Sequence, residues 1–400
     1  MIGYDLTAGG AAMCWDVFEA YDLGLVTNPN VFVMGEPGFA KSSLIKTYLA
    51  RMVAIYGQSR WVTVTDPKGE YRVWAECMGL PVVKIEPGGR TCVNPLDAGA
   101  AGSLDDEARR RARQTSMVMA LTATVLRRSL TPWERKLMRA VIDTMRDRVV
   151  EAGTSSTMTD LARLIASPTA EMCNQTRRTE KELTDDGEEV LFALDELLTG
   201  PLAGMFDGPS TVEVDWHGSG MVLDLSGVIG NTTAMALVMV AAMSWAAELK
   251  HVSQGRQKLN VNDESYYMYQ LEETVEFCQE RRKLGRSYGE ANIDICHRPS
   301  DLSAQNNDGS AAAKMAEGLL SDSATKILFR QAPRELAIGR ELLGLTDAEA
   351  SAIESLVRGK AVWKLADHSL LCQHLLSERE LSMVDTDHLM RRDGRLEPCP

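Results

Sequence analysis

The chain has 400 residues, of which 44% are hydrophobic and 25% are charged, and this composition is typical of a soluble globular protein. Its formal net charge of −13 excludes a surface that is basic overall, so any contact with nucleic acid would need a local basic lining. The eight cysteines form no CxxC pair, which favours reduced thiols in a cytosolic protein over a zinc site or a disulfide framework.

The first predicted elements are a short buried strand over residues 31–34 and an amphipathic helix that opens at Lys41. Between them, Gly35, Gly38, Lys41 and Ser42 have the spacing of a Walker A loop, whose backbone N–H groups wrap a polyphosphate. Lys41 would reach the β- and γ-phosphate oxygens, Ser42 would ligate Mg²⁺, and the helix start adds a positive dipole end. This pattern predicts binding of a nucleoside triphosphate. The predicted phosphate-binding residues are Gly35, Glu36, Pro37, Gly38, Phe39, Ala40, Lys41, Ser42 and Ser43.

Ala40 departs from the usual pattern, because a glycine commonly precedes the Walker A lysine. The extra Cβ would strain the loop or weaken nucleotide affinity. The alternative interpretation is an ordinary strand, turn and helix that contain these residue types by chance. The strand before the loop and the helix after it favour the phosphate-binding interpretation.

Strand and helix signals alternate along most of the chain, as a mostly parallel sheet requires. The longest apolar run, residues 234–247, falls short of the roughly 20 residues that span a bilayer and therefore predicts a buried core helix. No signal peptide is apparent, so we expect a soluble α/β protein without an integral membrane segment. After the strand at 31–34, the predicted strands are 61–65, 81–85, 221–225, 259–262, 292–296 and 325–329.

One region interrupts this alternation, because no convincing strand occurs between residue 104 and about residue 212. Thr131-Pro132-Trp133-Glu134 combines a capping box with proline at the first helical position, and further helices fit 105–128, 159–166 and 180–198. We predict an all-helical insertion. The predicted division of the chain is 1–104 for the first part of the core, 105–212 for the helical insertion and 213–400 for the second part.

A P-loop enzyme also needs an acidic residue at the end of a neighbouring strand, where it supports Mg²⁺. Asp263 and Glu264 supply two adjacent carboxylates after the strand at 259–262. We predict that Asp263 supports the metal and that Glu264 orients and deprotonates the attacking water. Asp224, inside the run 221–225, stays the alternative candidate for this acidic residue. If neither has a role, Asp263 and Glu264 are simply a solvated acidic pair at the end of a strand.

Two later signals concern the γ-phosphate. The helix predicted over 266–284 ends in basic residues, including Arg281 and Arg282, which the helix dipole favours at a C-terminus anyway. Alternatively, Arg281, Arg282 or Arg286 acts as an arginine finger on a γ-phosphate bound by an adjacent subunit. His297 follows the next strand and is a candidate γ-phosphate sensor, although a lone histidine there is more often a surface or packing residue.

Short motifs follow one another in an order that resembles a known family. They are GEPGFAKSS at 35–43, DPKGEY at 66–71, NPLD at 94–97, FDG at 206–208, LDLSG at 223–227, DES at 263–265, RRKLGRSYG at 281–289, HRPSDL at 297–302, SDSATKILFRQ at 321–331 and LGLTDAE at 343–349. Their order and spacing are similar to the ATPase core of the conjugative-transfer, type IV secretion class, the TraC and VirB group. That class belongs to the wider HerA/FtsK branch of translocases, and the resemblance covers nearly the whole chain.

The resemblance implies a RecA-like P-loop NTPase core with a mostly parallel sheet and an all-helical insertion, active as a ring or dimer. It also implies hydrolysis of ATP with Mg²⁺, which energises substrate transfer or channel assembly. Carried over by position, Lys41, Glu264 and Arg282 are catalytic, and Ser42 and Asp263 hold the metal.

His297 stands where the family typically has a glutamine, and it stays a candidate for nucleotide contact. The implied partners are further copies of the chain and membrane-embedded subunits of a secretion or conjugation channel, with DNA as a further candidate. The implied location is the cytoplasm, peripheral to the inner face of the cell membrane. The family's long amino-terminal domain has no counterpart in this sequence, which implies a short form or dependence on a separate subunit.

Two other functions stay open. A DNA-translocating ATPase of the HerA/FtsK or phage-packaging kind would share the core chemistry and differ in what passes through the ring, and the acidic composition counts against it. A non-hydrolysing, nucleotide-binding structural subunit would be consistent with Ala40 and His297.

Overall fold

The fold is seen in a computed structural model, which describes residues 1–96, 104–152, 156–200, 202–212, 215, 217–248, 255–269, 272–302 and 317–384. Its strands are β1 (Gly3–Asp5), β2 (Ala11–Met13), β3 (Val31–Met34), β4 (Arg60–Asp66), β5 (Val82–Lys84), β6 (Gly220–Asp224), β7 (Gln257–Asn262), β8 (Glu290–Cys296), β9 (Thr325–Leu328), β10 (Lys360–Leu365) and β11 (His368–His374). Its α-helices include α1 (Val17–Asp22), α2 (Lys41–Tyr56), α3 (Arg72–Met78), α4 (Leu104–Leu126), α5 (Pro132–Ala152), α6 (Met158–Ala166), α7 (Ala170–Thr176), α8 (Glu180–Thr199), α9 (Thr232–Glu248), α10 (Glu272–Gly285), α11 (Pro333–Leu343), α12 (Asp347–Glu354) and α13 (Glu378–Val384).

The strands form one sheet in the order β2-β1-β11-β10-β9-β3-β8-β7-β4-β6-β5. All neighbours from β9 to β5 are parallel, so their carboxyl ends meet at one edge of the sheet. The strands β10, β11, β1 and β2 extend the sheet by antiparallel pairing, which the sequence did not predict. The predicted α/β fold with a mostly parallel sheet is confirmed.

The strand β3 is apolar on both faces, as expected where helices cover both sides of a parallel sheet. In β3, Val31 and Val33 pack in one buried cluster with side chains of α2 and α3. The alternate residues Phe32 and Met34 pack in a second cluster with α4, α9 and α10. This alternation follows from the two-residue period of a strand.

The described residues between β5 and β6 contain the five helices α4–α8 and no strand, as the sequence predicted. Of these, α7 was not predicted, and its N-terminus is capped by Thr169. The helix α4 packs against α5 and α8 and also against α9 and α10 of the sheet layer. The helical segment therefore shares one apolar core with the sheet, and the domain boundaries at residues 104 and 212 stay a prediction.

The structure confirms one predicted helix start and changes another. The predicted capping box of α5 is formed, since the Thr131 N–H donates to Glu134 at 2.7 Å and the Glu134 N–H donates to Thr131 Oγ1 at 3.2 Å. The helix predicted from residue 266 begins instead at Glu272, because Ser265–Tyr269 forms a 3₁₀ turn first.

A row of buried polar side chains crosses β7, β8 and the residue before β3. Asn260 Nδ2 donates to Asn292 Oδ1 at 3.2 Å, and Asn292 Nδ2 donates to Asn30 Oδ1 at 3.1 Å. Nearer the strand ends, Asn262 Nδ2 donates to Asp294 Oδ1 at 2.7 Å. Buried amides need hydrogen-bond partners, and these amides find them only when the strands pair in this register. The contacts therefore favour this strand pairing over others.

Within the described residues, no helix has both the length and the apolar character needed to cross a membrane. The apolar run 234–247 lies in α9, and its side chains from Ala234 to Met243 are buried, as predicted for a core helix. Six of the described cysteines are free thiols.

Candidate functional site

The loop between β3 and α2 is packed tightly at its start and open at its tip. A Cβ on Gly35 would lie 2.4 Å from Cβ of Phe329, so only glycine fits there. Gly38 has a φ of +84°, a conformation that glycine adopts without a steric penalty. The Gly35 N–H donates to the His297 carbonyl oxygen at 3.2 Å, which ties the loop to the end of β8.

Residues after β9, at the end of the motif 321–331, hold the other side of the loop, and no role in the site was predicted for them. The Glu36 N–H donates to the Arg330 carbonyl oxygen at 2.9 Å, and the Arg330 guanidinium lies 5.3 Å from the centroid of the Phe39 ring. Gln331, which is buried, donates from Nε2 to the His297 carbonyl oxygen at 2.8 Å. The loop is therefore fixed by two neighbouring strand ends.

The N-terminus of α2 is arranged to receive an anion. Its N-cap is Ala40, which offers no side-chain hydrogen bond, and its first turn has no acidic residue. The first backbone N–H groups of a helix have no acceptor within the helix, and the helix dipole adds positive potential there. Lys41, Ser42 and Ser43 form this first turn. The arrangement is that of a phosphate-binding loop.

Ala40 has a φ of +77°, so the strain predicted from the sequence is present in the structure. An L-residue in the left-handed region costs the folded state about 1–2 kcal/mol, and glycine avoids this cost. Part of the gain is offset because glycine also increases the conformational entropy of the unfolded chain. We expect Ala40→Gly to raise the free energy of unfolding by about 0.5–1 kcal/mol in urea titrations. Ala366→Gly is the matched control, since Ala366 also has a positive φ, of 51°, in an exposed turn. A loss of stability in the Ala40 variant alone would contradict the strain argument.

The Lys41 amine faces the inside of the loop, and the residue is 5% exposed. Its Nζ donates to the carbonyl oxygens of Gly35 and Glu36, the latter at 3.2 Å, and lies 3.1 Å from Nδ1 of His297. Burial lowers the pKa of Lys41 to about 8, although nearby carboxylates act in the opposite direction. The amine therefore lies where a triphosphate on the loop would meet it.

Asp263 and Glu264 directly follow β7, and both are buried. The Asp263 N–H donates to the Thr65 carbonyl oxygen of β4 at 3.1 Å, and Asp263 Oδ1 accepts from the Glu264 N–H at 3.0 Å. Burial and the adjacent Glu264 charge raise the pKa of Asp263 to about 7. Glu264 has a φ of +50°, a conformation that is costly for a side-chain-bearing residue and recurs at functional sites.

His297 connects the loop lysine to the acidic pair. Its Nε2 lies 2.7 Å from Glu264 Oε1, while its Nδ1 faces the Lys41 amine. A protonated lysine amine only donates, so Nδ1 accepts and the ring proton on Nε2 is donated to Glu264. The structure thus brings together Lys41, His297 and Glu264, which lie on three different segments of the sequence.

Lys68 is a further residue of this cluster, and its role was not predicted from the sequence. Its ammonium forms an ion pair with Glu264 Oε1. Burial raises the pKa of Glu264, but the hydrogen bond from His297 and the charge and hydrogen bond of Lys68 outweigh burial and leave that pKa below its ordinary value. The motif DPKGEY at 66–71 contained the signal, but the pairing of β4 beside β7 was needed to interpret it.

Asp224 lies farther from the loop than Asp263 does. It is the last residue of β6, in register with Asp66 of β4, and its Oδ1 accepts from the Ser226 N–H at 2.9 Å. In the sheet β6 is four strands from β3, whereas β7 is two strands away. At about 4.8 Å per strand these separations are roughly 19 Å and 10 Å. The geometry favours the acidic pair after β7.

The structure does not support the catalytic role predicted for Arg282. Its guanidinium is buried at the level of the middle of β8, where it forms an ion pair with Asp294 and donates to the Leu319 carbonyl oxygen at 2.6 Å. Arg281 is also buried and donates to the Met243 carbonyl oxygen. Neither guanidinium is exposed for a neighbouring subunit, because each lies inside its own subunit.

Among the described residues, no group of three or more His, Cys, Asp or Glu side chains could hold a metal by itself. This agrees with the way proteins bind Mg²⁺, which usually takes one or two protein oxygens together with substrate phosphates and water. Asp263 offers a carboxylate whose charge acts on Lys41, and Ser42 offers a hydroxyl in the first turn after the phosphate loop. The donor set fits Mg²⁺ bound together with a nucleotide.

No protein-family model matches the sequence, and no curated protein matches it either. The structure is similar to that of VirB4 of Thermoanaerobacter pseudethanolicus, with a TM-score of 0.72 and 18% sequence identity over 95% of this chain and 97% of that chain. It is also similar to the plasmid coupling protein TrwB, solved with the GTP analogue GDPNP, with a TM-score of 0.57 and 15% identity over 87% of this chain and 86% of that chain. The TrwB structure with ADP and Mg²⁺ gives the same TM-score, identity and coverage.

These likenesses extend over most of both chains, so they concern the architecture and not a single motif. At this level of identity they establish the fold. The chain has the fold of VirB4 and TrwB, an α/β P-loop NTPase fold on a mostly parallel sheet.

Proposed function

We propose that the chain is an ATP-hydrolysing motor of a conjugative-transfer or type IV secretion system, which energises substrate transfer or channel assembly. The observation that carries the proposal is the contact chain from Lys41 through His297 to Glu264. It joins a phosphate-binding loop to a buried carboxylate at the same edge of the sheet. The fold shared with VirB4 and TrwB supports the choice of system.

Each residue of the site has a role in this proposal. Lys41 exchanges the loop carbonyl oxygens for β- and γ-phosphate oxygens, and the N–H groups of the first turn of α2 bind phosphate. Ser42 and Asp263 would hold Mg²⁺, which would neutralise charge on the phosphates and favour the ionised form of Asp263. Glu264 accepts the proton of the attacking water. His297 contacts both Lys41 and Glu264, so a shift of the Lys41 amine on nucleotide binding would change the position of the Glu264 carboxylate.

Replacing Lys41 by alanine is expected to lower ATP turnover by about 100-fold and to weaken nucleotide binding, because one charged donor to the phosphates is lost. Turnover is measured by phosphate release and binding by titration with a fluorescent ATP analogue. Lys283→Ala is the control, because Lys283 is an exposed lysine on α10 and should behave as the unchanged protein. Unchanged turnover in the Lys41 variant would remove the loop from the site.

A second candidate is a DNA-translocating ATPase, and the likeness to the plasmid coupling protein TrwB favours keeping it. Hydrolysis stimulated by single- or double-stranded DNA, with stimulation that falls steeply as salt is added, would support this function.

The same assay across protein concentration tests the proposed ring or dimer, since an active site completed by assembly gives a specific activity that rises with concentration. Turnover absent under all these conditions would leave a non-hydrolysing subunit.

The proposed partners are further copies of the chain and the membrane-embedded subunits of a secretion or conjugation channel. The corresponding location is the cytoplasm, at the inner face of the membrane. Co-sedimentation with membranes that contain the channel, compared with membranes that lack it, tests both statements.

A further inference from the structure

The two oxygens of the Glu264 carboxylate have different surroundings. Oε1 receives both the Lys68 ammonium and His297 Nε2, the latter at 2.7 Å. Oε2 is buried and has no hydrogen-bond partner among the described residues, and the side chain is only 3% exposed. Buried polar atoms are normally hydrogen-bonded, so an orphaned carboxylate oxygen indicates a partner that the protein itself does not provide.

The turn that carries Lys68 is held from several sides. Asp66, the last residue of β4, accepts from the Lys68 N–H at 3.2 Å and from the Tyr71 N–H at 2.8 Å. Gly69 has a φ of +72°, and a Cβ there would lie 3.3 Å from Ser226 on the neighbouring loop. The turn therefore has a fixed path that places the lysine stem beside the end of β7, and Lys68 is about one third exposed.

We propose that Lys68 is a positioning residue that, together with His297, holds Oε1 of Glu264 so that Oε2 is the oxygen that takes the proton from water. The inference rests on the proposed function and adds a residue and an atom to it. Because a carboxylate is planar, contacts to Oε1 from two directions also determine where Oε2 lies. The left-handed backbone of Glu264 limits the remaining freedom of the side chain.

The proposal predicts a specific kinetic pattern. Lys68→Gln should lower kcat for ATP hydrolysis by about 10- to 100-fold, because a displaced base loses the geometry of proton transfer. KM for ATP should stay unchanged, since the lysine contacts Glu264 and not the nucleotide. Lys68→Arg restores a cation at this position and should recover most of the lost turnover. Lys84→Gln is the matched control, because Lys84 is a half-exposed lysine paired with one carboxylate, Glu86, at 2.6 Å.

A second measurement needs no nucleotide and no activity. The free energy of unfolding in urea is compared for Lys68→Gln, Glu264→Gln and the double variant. If the two side chains interact as the structure shows, the losses are not additive, and the double variant is more stable than the sum of the single changes predicts. Additive losses would overturn the pairing of Lys68 with Glu264.

Other kinetic results for Lys68→Gln would assign a different role to Lys68. A raised KM with unchanged kcat would mean that Lys68 binds phosphate, and a raised kcat would mean that it restrains Glu264; either result overturns the inference. Unchanged kcat in Lys68→Gln, with an active unsubstituted protein, overturns it as well. If the unsubstituted protein has no turnover, the proposed function fails instead, and the unfolding cycle still decides whether the pair exists.

Discussion

Replacing Glu264 by glutamine is expected to lower ATP turnover by about 100- to 10,000-fold while ATP binding is retained. The amide cannot accept a proton at neutral pH, yet it has nearly the shape of the carboxylate. Its carbonyl oxygen can still accept from Lys68 and His297 in place of Oε1. Phosphate release under single-turnover conditions measures the first effect, and titration with a fluorescent ATP analogue measures the second.

The control for this experiment is Asp224→Asn, which changes the other strand-end carboxylate considered from the sequence. Asp224 caps its own turn through Ser226 and lies about four strands from the loop, so turnover should be retained. An active Glu264 variant together with an inactive Asp224 variant would transfer the role of base to Asp224. An inactive Glu264 variant that no longer binds ATP would show that the site had been disrupted and not merely deprived of its base.

Replacing Arg282 by methionine is expected to lower the free energy of unfolding by about 3–5 kcal/mol. The substitution leaves the Asp294 carboxylate buried without its cation, and a buried unpaired charge is costly. Three further acceptors, the Leu319 carbonyl, Ser323 and the Tyr269 hydroxyl, lose a donor at the same time. Urea unfolding followed by circular dichroism measures the loss.

Two further variants identify the cause of this loss. Asp294→Asn added to Arg282→Met removes the unpaired charge and keeps an acceptor for Asn262, so much of the stability should return. Lys283→Ala removes the adjacent, exposed cation of α10 and should change stability by less than about 0.5 kcal/mol. A stable Arg282 variant that loses turnover only in assembled protein would instead restore the arginine-finger interpretation.

The phosphate loop was predictable because all of its signals are local. The apolar run of β3, the glycines and the Lys41-Ser42 pair are adjacent in sequence, and each has a conformational reason to be there. The choice of Asp263-Glu264 over Asp224 followed from chemistry alone, and the strand order supports it. The helices α4 to α8 were largely predictable from caps and composition, except the short α7.

The roles of Lys68 and Arg282 could not be read from the sequence, for one physical reason. Each depends on which strands lie side by side, and strand order is not encoded in local periodicity. Lys68 reaches Glu264 because β4 pairs with β7, and Arg282 is buried because α10 lies over β8 and β3. The basic end of α10 is equally consistent with an exposed finger or a buried ion pair until the packing is known.

The row of polar side chains across β7 and β8 determines the register of these two strands, on which the contact between His297 and Glu264 depends. A slip of two residues keeps every side chain on its proper face, so the apolar alternation alone would tolerate it. Such a slip would separate Asn262 from Asp294 and would move the ends of the two strands apart by about 6.6 Å. His297 would then no longer meet Glu264 at 2.7 Å. Hydrogen bonds in the interior of the sheet thus hold β7 and β8 in the register that places His297 beside Glu264. A substitution of Asn262 would therefore displace these two residues relative to each other at the nucleotide site.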